Sequence, residues 1–195
     1  KDRLYTEAPA LPRRRCTQTV LYDILNALVK MLAPILVVTT DEVWQLMREA
    51  GWVTEASVHL AAWPQPEAHL LDEAGHQRWA TFLAMREVVM KALEEQRGRG
   101  VIGSPLEAHV TLSVTDQRLR QLCEAHRETL AEAFVVSGVS VQGNGSRAGQ
   151  GTQAVPGLAG VTVERAPGSK CERCWKHLTT VGSDAAHPTL CERCA

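Results

Sequence analysis

The chain closes on two short cysteine pairs, Cys171-Glu172-Arg173-Cys174 and Cys191-Glu192-Arg193-Cys194, with sixteen residues between them. A two-residue gap lets both thiolates of a pair turn toward one ion, and the intervening stretch is long enough to carry the second pair to the opposite side. The spacing fits a tetrahedral zinc site with Cys171, Cys174, Cys191 and Cys194 as ligands. Four thiolates leave no open coordination position, so such an ion builds a fold and does no chemistry. A redox dithiol is the competing reading. It normally opens a helix in a strand–helix fold, and the surrounding sequence has no such pattern. His177 and His187 lie between the pairs, but four cysteines already complete the set. Both histidines are expected at the surface.

At 195 residues the chain suits one medium domain, or a small domain plus a module. No apolar run approaches the length of a membrane span. The opening Lys1-Asp2-Arg3-Leu4-Tyr5 lacks an initiating Met and the pattern of a secretory leader, and reads as the middle of a longer chain. Cys16 and Cys123 stand far apart and are expected to be small, semi-buried thiols. Zinc thiolates beside free cysteines imply a reducing, cytoplasmic setting. The net charge of -1 excludes a blanket polyanion binder. Its distribution is uneven, however: residues 1–30 carry six Lys/Arg against three Asp/Glu, and residues 31–96 carry four against ten.

Val20, Leu21, Ile24, Leu25, Leu28, Val29 and Leu32 recur at helical spacing and predict an amphipathic helix from about Arg14 to Leu32. Thr39-Thr40-Asp41-Glu42 reads as the start of a second helix, which Gly51 would end. Val58-His59-Leu60 reads as extended. A long helix follows from about Leu70 to Gln96, with Trp79, Phe82, Leu83, Arg86, Val89, Met90 and Leu93 on its inner face. Trp44, Trp79 and Phe82 are expected in the core. Alternation then predicts a strand over 108–114, a helix over 117–130 that Asp116 caps, and a second strand over 134–141. Gln142 to Gly160 is rich in Gly, Ser, Gln and Ala and reads as a linker. A short strand at 161–164 leads into the cysteine module. The expected domains are 1–100 (helical), 101–141 (small α+β), 142–160 (linker) and 161–195 (zinc module).

Arg13-Arg14-Arg15 stands just before the first long helix, either as a solvated cluster or as a phosphate-binding edge. Arg173, Lys176 and Arg193 flank the knuckles. They either contact phosphates or offset the charge of a dianionic zinc–thiolate centre. Trp175 follows Cys174 directly, and either packs over the knuckle or stacks on a base. Gly-rich phosphate loops, Gly-X-Ser-X-Gly and His-Glu-X-X-His are all absent, so nothing argues for an active site in this chain.

Several segments together resemble the C-terminal part of bacterial-type isoleucyl-tRNA synthetases. Lys1-Asp2-Arg3-Leu4-Tyr5, Gln18-Thr19-Val20-Leu21-Tyr22, Leu32-Ala33-Pro34-Ile35-Leu36 and Asp41-Glu42-Val43-Trp44 recur in class I synthetases for branched aliphatic amino acids. Ser57-Val58-His59-Leu60 continues the match. Val101-Ile102-Gly103-Ser104-Pro105-Leu106-Glu107-Ala108 and Lys170-Cys171-Glu172-Arg173-Cys174-Trp175 narrow it to the isoleucine family. The resemblance implies a mainly α fold: a helical bundle of the class I anticodon-binding type, a small α+β unit and a four-cysteine zinc-knuckle module. It also implies one structural zinc, isoleucine tRNA and the remainder of the synthetase as partners, and ATP only in a catalytic domain outside this chain. The family's HIGH and KMSKS motifs do not occur here, so catalytic residues are not expected. The tRNA contacts it implies are Trp175, Arg173, Lys176, Arg13, Arg14 and Arg15. No feature indicates an oligomer or a membrane partner. The competing reading is a zinc-containing protein-interaction module.

Overall fold

The computed structural model describes residues 2–143 and 155–195. Most of the expected linker, residues 144–154, lies outside them. The chain forms two compact units, Lys1–Leu71 and Asp72–Ala195.

In the first unit, α1 (Asp2–Tyr5) precedes α2 (Pro12–Leu32) and α3 (Val37–Glu49). Helix α2 starts two residues earlier than its apolar period suggests. Pro12 presets φ at the first helical position, where its missing N–H costs no hydrogen bond. Helix α3 also begins early, at Val37. Thr39 and Thr40 therefore lie inside the helix and do not cap it, and Asp41 lies in its second turn. Its carboxylate accepts from Ser57 Oγ at 2.6 Å and from the Val58 N–H at 3.0 Å, and so fastens the next segment. These bonds, Ser57 first, hold the Asp41 carboxyl below the usual aspartate range. The pinned Val58–Leu60 stretch is a single 3-10 turn, where the sequence suggests an extended one. Gly51 ends α3 at φ 73°, in the left-handed region that glycine enters at no steric cost.

Val29, Ala33, Trp44, Met47 and Val58 form the unit's small core, and the Trp44 indole N–H donates to the Glu55 carbonyl at 2.9 Å. Val20, Leu21, Ile24 and Leu28, expected on the buried face of α2, are all more than 40% exposed.

The second unit opens with α4 (Glu73–Gly98), capped by Asp72, whose carboxylate accepts from the Gly75 N–H at 2.8 Å. Phe82, Met85, Val89 and Leu93 are its buried stripe. Trp79, expected in the core, is 45% exposed and packs edge-on against Phe82; Leu83 is also exposed. The stripe packs into the core of the second unit. It covers one face of a sheet made of β1 (Ala108–Val114), β2 (Gly138–Gln142) and β3 (Leu158–Arg165), so the second unit begins well before the expected 100/101 boundary.

The strand order is β2-β1-β3. β1 pairs in parallel with β2 (His109↔Gly138, Val110↔Val139) and antiparallel with β3 (His109↔Glu164, Thr111↔Thr162). Ala108, Val110, Leu112 and Val114 alternate into the core, as the sequence predicts. β3 starts at Leu158, inside the expected linker, and it belongs to this sheet. The cysteine module thus begins only after Arg165.

The expected helix over 117–130 is two: α5 (Gln117–Ala125), capped by Asp116, and α6 (Arg127–Phe134), which meet at His126. The Phe134-Val135-Val136-Ser137 run reads as strand by its β-branched content, yet Phe134 is the last residue of α6. Val135 then adopts a left-handed conformation, φ 59°, and the chain turns into β2. The reason is burial: Phe134 and Val136 both enter the core from opposite sides of that turn. A left-handed β-branched residue is strained by about 1–2 kcal/mol. Among the described residues, no helix is long and apolar enough to cross a membrane.

The two adjacent valines are expected to respond oppositely to mutation. Val136→Ala should cost ~2 kcal/mol through lost burial. Val135→Asn should cost nothing or stabilise, since Asn tolerates the left-handed region. Denaturant midpoints of the two variants check this; equal losses would mean that Val135 is not strained.

Candidate metal centre and nucleic-acid interface

The module after Arg165 is a two-stranded hairpin, β4 (Ser169–Lys170) against β5 (His177–Leu178), with the first cysteine pair in its loop. Gly168 enters the hairpin at φ 89°, and a Cβ there would strike the Leu178 carbonyl, so only glycine fits. The second pair follows a looped return and sits beside the first.

All four Sγ atoms lie within 4.8 Å of one another, and Cys171, Cys174, Cys191 and Cys194 are all buried. The Cys174–Cys191 sulfur separation is 3.8 Å. Zn–S bonds of about 2.3 Å in a tetrahedron place sulfurs about 3.8 Å apart, so the four side chains fit this ion. Neither His177 nor His187 belongs to the cluster, which consists of the four cysteines alone among the described residues.

Backbone donors prepare the site for negative charge. Burial works against a Cys171 thiolate, but the backbone N–H groups of Cys174, Cys191 and Arg173 outweigh it and lower its pKa to about 6. The Cys191 N–H approaches its sulfur at 3.4 Å. Cys174 is driven the other way, to about 11, by burial first and then by the sulfurs beside it. Cys194 is raised too, again chiefly by burial. The Cys171 thiolate is favoured and those of Cys174 and Cys194 are not, unless a divalent cation compensates them.

Trp175 takes φ 65°, a left-handed conformation that is rare for a large side chain. Its N–H donates to the Cys171 carbonyl at 2.9 Å, closing the knuckle turn. The residue is 56% exposed, so the turn presents the indole instead of burying it. The Lys170 ammonium stands 5.4 Å from the ring centroid, within cation–π range.

Sequence reading overlooks Lys170, because only the hairpin brings the residue before the first cysteine to the indole that follows the second. Arg173 lies in the same loop, and its guanidinium donates to the Cys194 carbonyl at 3.0 Å, which ties the two knuckles together. Lys176 is half-buried at the base of the loop, and its carbonyl accepts from the Cys171 N–H.

Arg13, Arg14 and Arg15 belong to the other unit, in the first turn of α2. Arg13 pairs with the Glu7 carboxylate at 3.5 Å, and Arg14 donates to the Glu7 carbonyl at 2.9 Å. Glu7 is itself buried. Both guanidiniums thus fasten the segment between α1 and α2, and Arg15 is the exposed member of the three. Of the other cysteines, Cys16 is exposed on α2; Cys123 is buried in the sheet core, and burial raises its pKa to about 11.

Comparison with known proteins gives two family matches: the anticodon-binding domain of tRNA ligase over residues 1–112, and the zinc finger found in FPG and IleRS over residues 168–195. The isoleucine–tRNA ligase of Moorella thermoacetica is 43% identical over 197 aligned residues, covering 100% of this chain and 21% of the relative. That of Syntrophomonas wolfei is 42% identical over 197, with the same coverage. That of Fervidobacterium nodosum is 40% identical over 195, covering 100% and 20%. The chain spans about a fifth of the length of the curated relatives it matches.

Loss of one ligand should dismantle this module locally. Cys191→Ser, or chelation, is expected to release the metal and to speed amide exchange across 168–195. The helical circular-dichroism signal should change little, because the helices rest on the two other apolar clusters. A coincident loss of helix and module on melting would show that the module also supports those clusters.

Proposed function

The chain belongs to the anticodon-binding domain family of tRNA ligases, and we propose that it binds the anticodon arm of a tRNA, with the cysteine module as part of the contacting surface. In this reading the chain is the C-terminal portion of an isoleucine–tRNA ligase. The whole enzyme attaches isoleucine to its tRNA with ATP in the cytoplasm. This portion supplies tRNA affinity and orientation, and the chemistry lies in the rest of the enzyme. One zinc ion per chain holds the two knuckles.

The observation that carries the proposal is Trp175. A strained, exposed indole beside a lysine and a metal knuckle is poor packing and a good platform for an unpaired base. Base–aromatic stacking contributes ~1–3 kcal/mol per base. Lys170 and Lys176 supply positive charge near the same loop for the adjoining phosphates, and Arg15 does so on the first unit. Arg13 and Arg14 in the first unit and Arg173 in the second act through the folds they hold, since their guanidiniums are engaged with Glu7 and Cys194.

Binding of the zinc-loaded chain to an isoleucine tRNA and to an unrelated tRNA, over a salt series, tests this reading. Trp175→Ala is expected to weaken binding of the isoleucine tRNA by ~1–3 kcal/mol and to leave zinc content unchanged. Affinity should fall steeply with salt, in proportion to the phosphates neutralised. Unchanged affinity in Trp175→Ala would remove the indole from the interface. Binding without salt dependence would favour a protein-interaction module.

A further inference from the structure

We infer that Ser137 is a positioning residue whose hydroxyl seats the cysteine module on the sheet unit, and so sets where Trp175 and Lys170 stand. This rests on the RNA-binding reading above for its functional consequence, and on geometry alone for the seat.

Ser137 is 8% exposed and lies between the Val135 turn and β2. Its Oγ donates to the Leu106 carbonyl and accepts from the His177 N–H at 2.8 Å. One atom therefore joins three segments that are far apart in sequence. Only a hydroxyl donates and accepts at one atom over so short a reach.

Leu106 belongs to a single 3-10 turn, Pro105–Glu107. The same turn holds the other side of the module. The Glu107 carbonyl accepts from the Ala166 N–H at 2.6 Å, where the chain leaves β3. The turn is fastened in its own right, because the Glu107 carboxylate accepts from the Gly103 N–H at 3.1 Å. The Ile102-Gly103-Ser104-Pro105-Leu106-Glu107 segment is thus a docking ledge, gripping the entering strand directly and the returning strand through Ser137.

The returning strand is where position matters. His177 stands opposite Lys170 in the hairpin register and two residues after Trp175. Fixing the His177 amide fixes the stem from which both the lysine and the indole project. The strained Val135 belongs to the same device. Its left-handed turn puts Val136 into the core, and the Ser137 N–H then bonds the Ala108 carbonyl at 3.0 Å, which leaves the hydroxyl against the ledge.

The test pairs a structural readout with a binding readout on the zinc-loaded chain. In Ser137→Ala, exchange of the His177 amide is expected to accelerate by about tenfold or more, because the N–H loses its acceptor, with zinc content unchanged. Affinity for the isoleucine tRNA should fall about tenfold. It should fall no further when Ser137→Ala is added to a Lys170→Ala/Trp175→Ala chain, since Ser137 acts through those two residues. Ser137→Thr, which keeps the hydroxyl, should hold His177 exchange near the wild-type rate.

Unchanged His177 exchange in Ser137→Ala would overturn the seat. So would loss of zinc, which would make Ser137 a general stability residue. Full additivity with the double variant would overturn its action through Trp175 and Lys170. Wild-type affinity in Lys170→Ala/Trp175→Ala would instead remove the RNA-binding reading, while the exchange result still decides the seat.

Discussion

Two knuckles with almost no apolar core stay folded only if something holds their sulfurs together. Leu178, Val181 and Leu190, all partly buried, are the hydrophobic side chains packed on the four cysteines among the described residues. A module this small lacks the burial to offset its conformational entropy. A cation held by the four cysteines would serve as the module's core, and the sequence around them is organised by charge. N–H groups converge on Cys171, Arg173 ties one knuckle to the carbonyl end of the other, and Gly168 lets the strands close. The exposed indole follows from the same constraint, because the knuckle turn forces the residue after Cys174 into a left-handed conformation and leaves its ring outside.

A metal-held module has a fixed interior but no fixed place. Its position comes from the ledge at Pro105–Glu107 and from Ser137, which are parts of the sheet unit. That unit has a proper hydrophobic core, in which α4, α5 and α6 cover the inner face of three strands. Rigid backbone on the ledge meets rigid backbone in the hairpin through a few hydrogen bonds. Such contacts orient far more strongly than they stabilise, because each bond is worth little net but costs much if left unmade in a buried place. The architecture thus separates holding the module together from aiming it.

The first unit shows how charge in a sequence differs from charge on a surface. Arg13-Arg14-Arg15 is the densest basic run in the chain, yet two of its members are spent on Glu7. Burying that carboxylate without a partner would be costly, and Arg13 meets part of the cost while Arg14 holds the Glu7 main-chain carbonyl. The same unit leaves much of the α2 apolar stripe outside its core of five buried residues. Helical periodicity identifies a face able to be buried. It does not say which part of the face a given partner covers.

The four-cysteine cluster was legible because spacing is a local property: two residues between thiolates suffice to turn both toward one point. Strand β1 and the cap at Asp116 were legible for the same reason, since alternation and capping are decided within a few residues. The errors fall where distant segments compete. Phe134 to Ser137 has the composition of a strand, but burial of Phe134 and Val136 on either side of a turn overrode that preference. Thr39-Thr40-Asp41-Glu42 has the look of a helix start, yet the helix begins at Val37, and Ser57, sixteen residues after Asp41, holds its carboxylate. Helix α4 was placed in the helical domain by its neighbours in sequence and in the sheet core by its buried stripe. By itself the sequence determined the pairing of the four cysteines, the family and most element types. Only the tertiary structure decided that Lys170 meets Trp175, that Arg13 and Arg14 serve Glu7, and that Ser137 seats the module. Each of these joins groups that adjacency does not bring together, and sequence pattern carries no distance between them.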